Sequence, residues 1–421
     1  MLAQRRRTPI YALMSANTVS RVGNQLAVLA LPWFVLQTTG SAVRVGLAGA
    51  VESLAIILSA LLGGVLVDRI GFRRSSIVAD CGSGLVIALI PLLDRMASLA
   101  FWELLLLIFL ANVLNTPGST ARQSILPDLA EVGGITLERI SAINEAVGNV
   151  AGLAGPLMAG FLIAAIAARN VLWIDAATFA FSAAAVLAFV PATDRATEAT
   201  RRHYLTELAE GVRFLFIDRV LFSLALLGAY INMVGSALMA VVLPVLAKRV
   251  FGSSIDLGLL IAADGGGALF GALFYGARGG RWPRRATLTV TLLVSFAGLA
   301  ALVPLPGLIV SVAALVVDGA AFGVLGPLVY TIYQERIPVD LRGRVFGALG
   351  SAHRLAAPAG VFLAGYLIQF FSLRSALGTV ALLSLVMPLM VLATPALRSL
   401  GPPTREPLVA ADAGEHLTGG G

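Results

Sequence analysis

The chain has 421 residues, 58% of them hydrophobic and 13% charged, and a formal net charge of +7. Soluble domains are about a quarter charged, so this composition excludes an ordinary soluble enzyme and puts most of the surface against lipid. The basic residues lie scattered in short loops rather than in a patch, which excludes a nucleic-acid footprint, and the single cysteine, Cys81, excludes an intramolecular disulfide.

A membrane-crossing helix needs about 20 apolar residues. The apolar runs predict twelve such helices, over 10–36, 43–67, 75–93, 99–121, 141–167, 171–190, 220–247, 256–277, 286–304, 308–330, 345–370 and 376–394. The predicted fold is an all-α membrane protein of two six-helix bundles. The first lies within 1–190, the second within 220–400, with a polar linker over 191–219 and a tail over 401–421 of disordered composition. With the amino terminus inside, only Arg44, Arg95, Arg169, Lys248, Arg249 and Arg374 fall on outer segments, while Arg122 joins the many inner arginines. The positive-inside rule then predicts both termini in the cytoplasm. Arg5-Arg6-Arg7 precedes an apolar stretch too long for a cleaved signal.

In chain order, the first span carries Arg21 near mid-depth, with Asn24 and Gln25 beside it, and the second carries Glu52. A lone intramembrane arginine calls for a carboxylate partner, with Glu52 and Glu145 as candidates. The second span ends in Gly63-Gly64-Val65-Leu66-Val67-Asp68-Arg69-Ile70-Gly71-Phe72-Arg73-Arg74. This stretch resembles the G-x-L-x-D-R-x-G-x-R-R loop of the major facilitator superfamily, with Phe72 as a departure. Gly64, Asp68, Arg69, Gly71, Arg73 and Arg74 then form a gating loop, a cytoplasmic latch for the outward-facing state. Asp80 lies in the third span, Asn112 and Asn115 in the fourth and Glu145 in the fifth. Glu103 sits near an interface, and Asp175 close enough to an outer helix end to touch water.

The fifth span also carries Gly148, Gly152, Gly155, Pro156 and Gly160, small residues at spacings that let a neighbouring backbone approach. The pattern resembles the G-x-x-x-G-P-x-x-G motif of superfamily antiporters, though Phe161 replaces the usual last glycine. Beyond it, 203–216 has the apolar spacing of an amphipathic helix on the inner membrane face. The second half carries Asn232, Asp264 and Asp318 in the seventh, eighth and tenth spans.

The halves echo each other at a nearly constant offset. Leu31-Pro32 recurs as Leu243-Pro244, Gly40-Ser41 as Gly252-Ser253, and Gly46-Leu47 as Gly258-Leu259, each 212 residues on. Glu52 and Asp264 differ by the same number, so they are expected at matching depth in matching helices. Intramembrane ionisable groups are functional candidates by default. Glu52, Asp264, Asp318, Glu145 and Asp80 are therefore candidates for ion coupling. Arg21, Asn24, Gln25, Asn112, Asn115 and Asn232 are candidates for a substrate cavity.

Ala30-Leu31-Pro32-Trp33, Thr120 to Asp128 and Leu341 to Phe346 carry a wider resemblance to the bacterial branch containing macrolide-efflux and enterobactin-export proteins. It implies a cavity between the first, fourth, seventh and tenth helices, and contact between halves through the second, fifth, eighth and eleventh. It further implies proton-coupled export of amphipathic small molecules from a bacterial inner membrane by a monomer. Small-molecule substrate, protons and lipids are the implied partners. Siderophore export in the same branch is one alternative, and a membrane sensor or scaffold that transports nothing is another. No nucleotide-binding loop, metal-ligand cluster or nucleophile–base constellation occurs in the sequence, so neither a cofactor, a metal nor an enzymatic activity is expected.

Overall fold

The computed structural model describes the backbone of residues 2–96, 99–191 and 201–400, and within them all side chains except those of 2–6, 61–66, 68–69, 201–208 and 399. Segment 192–200, the tail 401–421 and the side chains of Asp68 and Arg69 lie outside the described residues, and of Gly64 only the helical backbone is described. Everything described is helical or a short connection. The first six spans are α1 (Leu2–Thr39), α2 (Ala42–Ile70), α3 (Phe72–Met96), α4 (Phe101–Gly133), α5 (Leu137–Ile166) and α6 (Ala168–Phe189). The linker helix α7 (Arg201–Ile217) leads to the second bundle.

The seventh span is one rod, Arg219–Phe251. Within it α8 (Arg219–Ala237) and the short α9 (Leu243–Leu246) alternate with two π-helical stretches, Leu238–Val242 and Ala247–Phe251. Then come α10 (Ser254–Arg278), α11 (Arg284–Ala301) and α12 (Leu308–Arg336). The eleventh span is divided into α13 (Arg342–Leu355) and α14 (Ala357–Phe370), and α15 (Leu373–Ala393) is the twelfth. Pro358 has no N–H for the Arg354 carbonyl, and the helix breaks just before it at Ala356. Among the described residues, ten of the spans are long and apolar enough to cross a membrane. The other two are this divided helix and α11, 18 residues long and opening on Arg284-Arg285.

Local chemistry explains the joints. Gly40 and Gly252 take φ of +65° and +72°, and each is followed by a serine whose hydroxyl accepts from the next helix, Ser41 from the Arg44 N–H and Ser253 from the Asp256 N–H. The repeated Gly-Ser pair is thus a helix stop followed by a helix start. Between α2 and α3 a single residue turns the chain: Gly71, at φ +86°. That conformation is nearly closed to side-chain-bearing residues and explains the second glycine of the loop pattern.

One expectation needs correction. The fourth span was expected to end at 121, but α4 continues to Gly133, so Arg122 lies 2% exposed within the first bundle rather than in an inner loop. The linker helix α7 also packs on the second bundle. Glu210 pairs with Arg344 at 2.6 Å, and Gly211 abuts the Arg344 backbone, so α7 docks on the start of the eleventh span.

The bundles touch through α2 with α14 and through α5 with α10. Both crossings use glycine pairs and equivalent atoms. Gly46 meets Gly365 and the Val361 carbonyl, while Gly258 meets Gly160 and the Pro156 carbonyl. The Ser254 hydroxyl donates to the Gly160 carbonyl at 2.9 Å, and the Ala42 N–H donates to Gln369 Oε1 at 3.1 Å. Lys248 sits over the ring of buried Trp33, 5.1 Å from its centroid. All these contacts lie at the end opposite the Gly71 joint. Along α5, Gly155, Pro156, Ala159 and Gly160 are buried, whereas Ile143, Glu145, Asn149 and Val150 toward the other end are exposed. The halves therefore part toward the end that carries Gly71.

Candidate functional site

Two cavities occupy equivalent places, one inside each bundle. The first, about 220 Å³, is lined by Asn24 from α1, Glu52 from α2, Asn112 and Asn115 from α4, and Asp175 from α6. The second, about 350 Å³, is lined by Asn232 and Ser236 from α8, Asp264 from α10, Ser295 from α11 and Asp318 from α12. Each set of walls maps onto the other by the repeat offset: Glu52 onto Asp264, Asn24 onto Ser236, Ala27 onto Met239 and Asp175 onto Met387. Close backbone packing sets these positions. The backbone of Gly319 lies against Asp264 and that of Gly323 against Ala268, drawing α10 and α12 together beside Asp318.

Among the described residues, no basic side chain lines either cavity. Glu52 makes no hydrogen bond or ion pair with a described residue. Asp264 leaves Oδ1 buried without a partner, and Asp318, 1% exposed, accepts from the Ser295 hydroxyl. In the first cavity Asn115 Nδ2 donates to Asn24 Oδ1 at 3.2 Å, Asn112 Nδ2 donates to the Ile108 carbonyl at 2.9 Å, and Asn115 Oδ1 has no partner. Both sites thus present oxygen acceptors and acids at mid-span without a countercharge. An ionised carboxylate in such a place is costly unless a proton or a cation joins it.

The structure brings together Glu52, Asn24, Asn112 and Asn115 in one cavity and Asn232, Asp264 and Asp318 in the other. Asp175, expected at a wet helix end, is instead 1% exposed and faces Glu52's cavity. Seven residues into α6, its side chain points inward rather than outward. Arg21 does not find the expected carboxylate. Its Nη1 donates to the Asn144 carbonyl at 2.9 Å, because Glu52 points into the bundle and Glu145 lies exposed on α5.

Gly148 and Gly155 leave room for the side chains of Arg21 and Gln25, and Gly152 lies near Gln25. The fifth-span seam therefore seats the polar stripe of α1 along most of its length and reaches the other bundle only at Pro156 and Gly160. Asp80 is paired with Arg122 at 2.6 Å, the two being 0% and 2% exposed. Ser182 donates to Asp80 at 2.7 Å, and Arg122 donates to Asn17 at 2.8 Å. Arg73 donates to the Leu187 carbonyl at the end of α6, and Arg285 donates to the Leu392 carbonyl near the end of α15. Each arginine covers a helix carboxyl end within its own bundle.

Sequence reasoning missed Asp175 and Arg122. The signal for Arg122 was the need of Asp80, deep in an apolar helix, for a cation on a neighbouring span.

The sequence matches the Major Facilitator Superfamily over residues 13–361. It is 33% identical over 410 residues to the multidrug efflux pump Tap of Mycobacterium tuberculosis (strain ATCC 25618 / H37Rv), covering 94% of this chain and 95% of that one. It is 22% identical over 358 residues to macrolide efflux protein A of Streptococcus pyogenes, covering 84% and 87%. Among solved structures, the nucleoside transporter NupG superposes with a TM-score of 0.76 at 12% identity, covering 91% of this chain and 98% of that one.

Proposed function

The chain belongs to the major facilitator superfamily of membrane transporters, and on that premise we propose that it is a secondary active exporter of amphipathic small molecules, driven by protons moving the opposite way. The observation that carries this reading is the pairing of Glu52 with Asp264. They are repeat-equivalent acids in twin cavities, and neither has a cationic partner among the described residues. As the bundles rock, each acid meets water on one side and then the other, and takes up or gives back a proton. Export rather than import fits the efflux relatives and the fifth-span seam.

In this reading residues 1–190 and 220–400 are the moving bodies, 191–219 ties them, and both termini with 401–421 face the cytoplasm of a bacterial inner membrane. The halves part toward that side, which makes the present conformation inward-facing. Cargo enters from the cytoplasm or inner leaflet into the cleft beside Arg21, Gln25 and Asn149, and a single copy carries the whole pathway.

Expression in a drug-sensitive bacterium tests it. Resistance to a panel of toxic amphiphiles should rise, and dye efflux should collapse with a protonophore. Glu52→Gln and Asp264→Asn should each abolish protonophore-sensitive efflux at unchanged membrane abundance. Wild-type efflux in both variants would overturn the coupling scheme.

A further inference from the structure

We propose that the cavity inside the first bundle is a binding site for a small inorganic monovalent cation, with Na+ as the ion to try first. Its polar groups are turned so that oxygens face the space. Asn112 and Asn115 spend their Nδ2 groups on the Ile108 carbonyl and on Asn24, which leaves their amide oxygens for a ligand. Asn115 Oδ1 is buried and unpartnered. Glu52 is half-buried and accepts nothing from the described residues, while Asp175, 1% exposed, receives only the Thr178 hydroxyl at 3.5 Å. Oxygen-only donor sets of carboxylates and carbonyls select hard cations.

A proton would neutralise Glu52 but leave the amide oxygens unsatisfied; a metal ion answers both at once. Two acids with neutral amides suit a monovalent ion better than Ca2+, which takes six to eight oxygens and usually more charge. The twin cavity does not share this chemistry, since Met239, Phe322 and Met387 replace Ala27, Ala111 and Asp175 in its wall. Ion and proton then compete for Glu52. What the ion drives rests on the exporter reading; its binding does not.

The test uses the purified full chain in detergent. Melting temperature is titrated with NaCl against choline chloride at constant ionic strength, and 22Na+ binding is measured directly. The expected result is a saturable, Na+-specific rise in melting temperature, absent in Glu52→Gln and Asp175→Asn and retained in Asp264→Asn. Should the acid variants not fold, Asn115→Ala keeps both carboxylates and should raise the half-saturating Na+ concentration by about tenfold, as for one lost buried ligand. Equal responses to Na+ and choline, or an undiminished response in both Glu52→Gln and Asn115→Ala, would overturn the site. Na+ binding without drug efflux would overturn only the exporter reading, and efflux without Na+ binding only this one.

Discussion

Asp80 and Arg122 illustrate how much a single buried contact decides. Both are enclosed, so removing one partner strands the other charge, at a cost of about 3–5 kcal/mol. Asp80→Asn and Arg122→Met should therefore each lower the detergent melting temperature and the yield of folded protein. The double variant Asp80→Leu/Arg122→Met should recover most of the loss, because an apolar pair strands nothing. If both single variants melt like the wild type, the pair contributes little. Gly71 offers a backbone counterpart. Its φ of +86° holds the joint between α2 and α3 in a region open essentially to glycine alone, so Gly71→Ala should lose roughly 1–3 kcal/mol, read as a fall in melting temperature.

At the scale of helices, the glycine crossings set which end is shut. A Cβ at Gly160 would come within 2.5 Å of the Ser254 carbonyl, and one at Gly365 within 2.6 Å of the Ala42 carbonyl. Backbone cannot yield as a flexible side chain does, so Gly160→Ala and Gly365→Ala should push the halves apart there and favour the opposite conformation. Spin labels at positions 44 and 249, after Cys81→Ala, should show a longer distance distribution; an unchanged distribution would count against it.

These elements differ in how far residues alone revealed them. The Gly-Ser pairs were legible as a repeat but not as helix joints, a role that their backbone angles and caps reveal, and Glu52 and Asp264 were linked because equal offsets imply equal places. Arg122 was not, because an arginine near the end of an apolar run looks like a loop residue until the helix is seen to continue past Pro127. Asp175 was missed for a related reason: distance along a helix gives depth, whereas the facing side depends on how α6 packs. Arg21 satisfied itself with the Asn144 carbonyl, a partner that side-chain bookkeeping does not include.

Across the whole molecule the symmetry is one of shape more than of chemistry. Asp80 and Arg122 brace the first bundle, but the repeat places Leu292 and Tyr333 at the matching points of the second. Tyr333 is 5% exposed and its hydroxyl has no partner among the described residues. The second bundle thus holds a buried hydroxyl without a partner where the first has a satisfied pair, and its α11–α12 ion pair, Arg284 with Glu335, involves an exposed acid, so it should open more readily. Hydrogen exchange should be slower in α3 and α4 than in α11 and α12, and the reverse order would contradict this assignment. One bundle then acts as a stiff frame and the other as the part that adjusts.

The seventh span shows how that adjustment can be made. It holds π-helical turns on both sides of Leu243-Pro244, while α1 carries Leu31-Pro32 inside an uninterrupted α-helix. Each wide turn stores one surplus residue, and passing it along the rod re-indexes every side chain it crosses by about 100°. Asn232 and Lys248 lie on opposite sides of the stretch Leu238–Val242, so migration of that surplus turns one relative to the other without displacing the rod. Such a dial would let the second cavity change its lining while its neighbours stay in place.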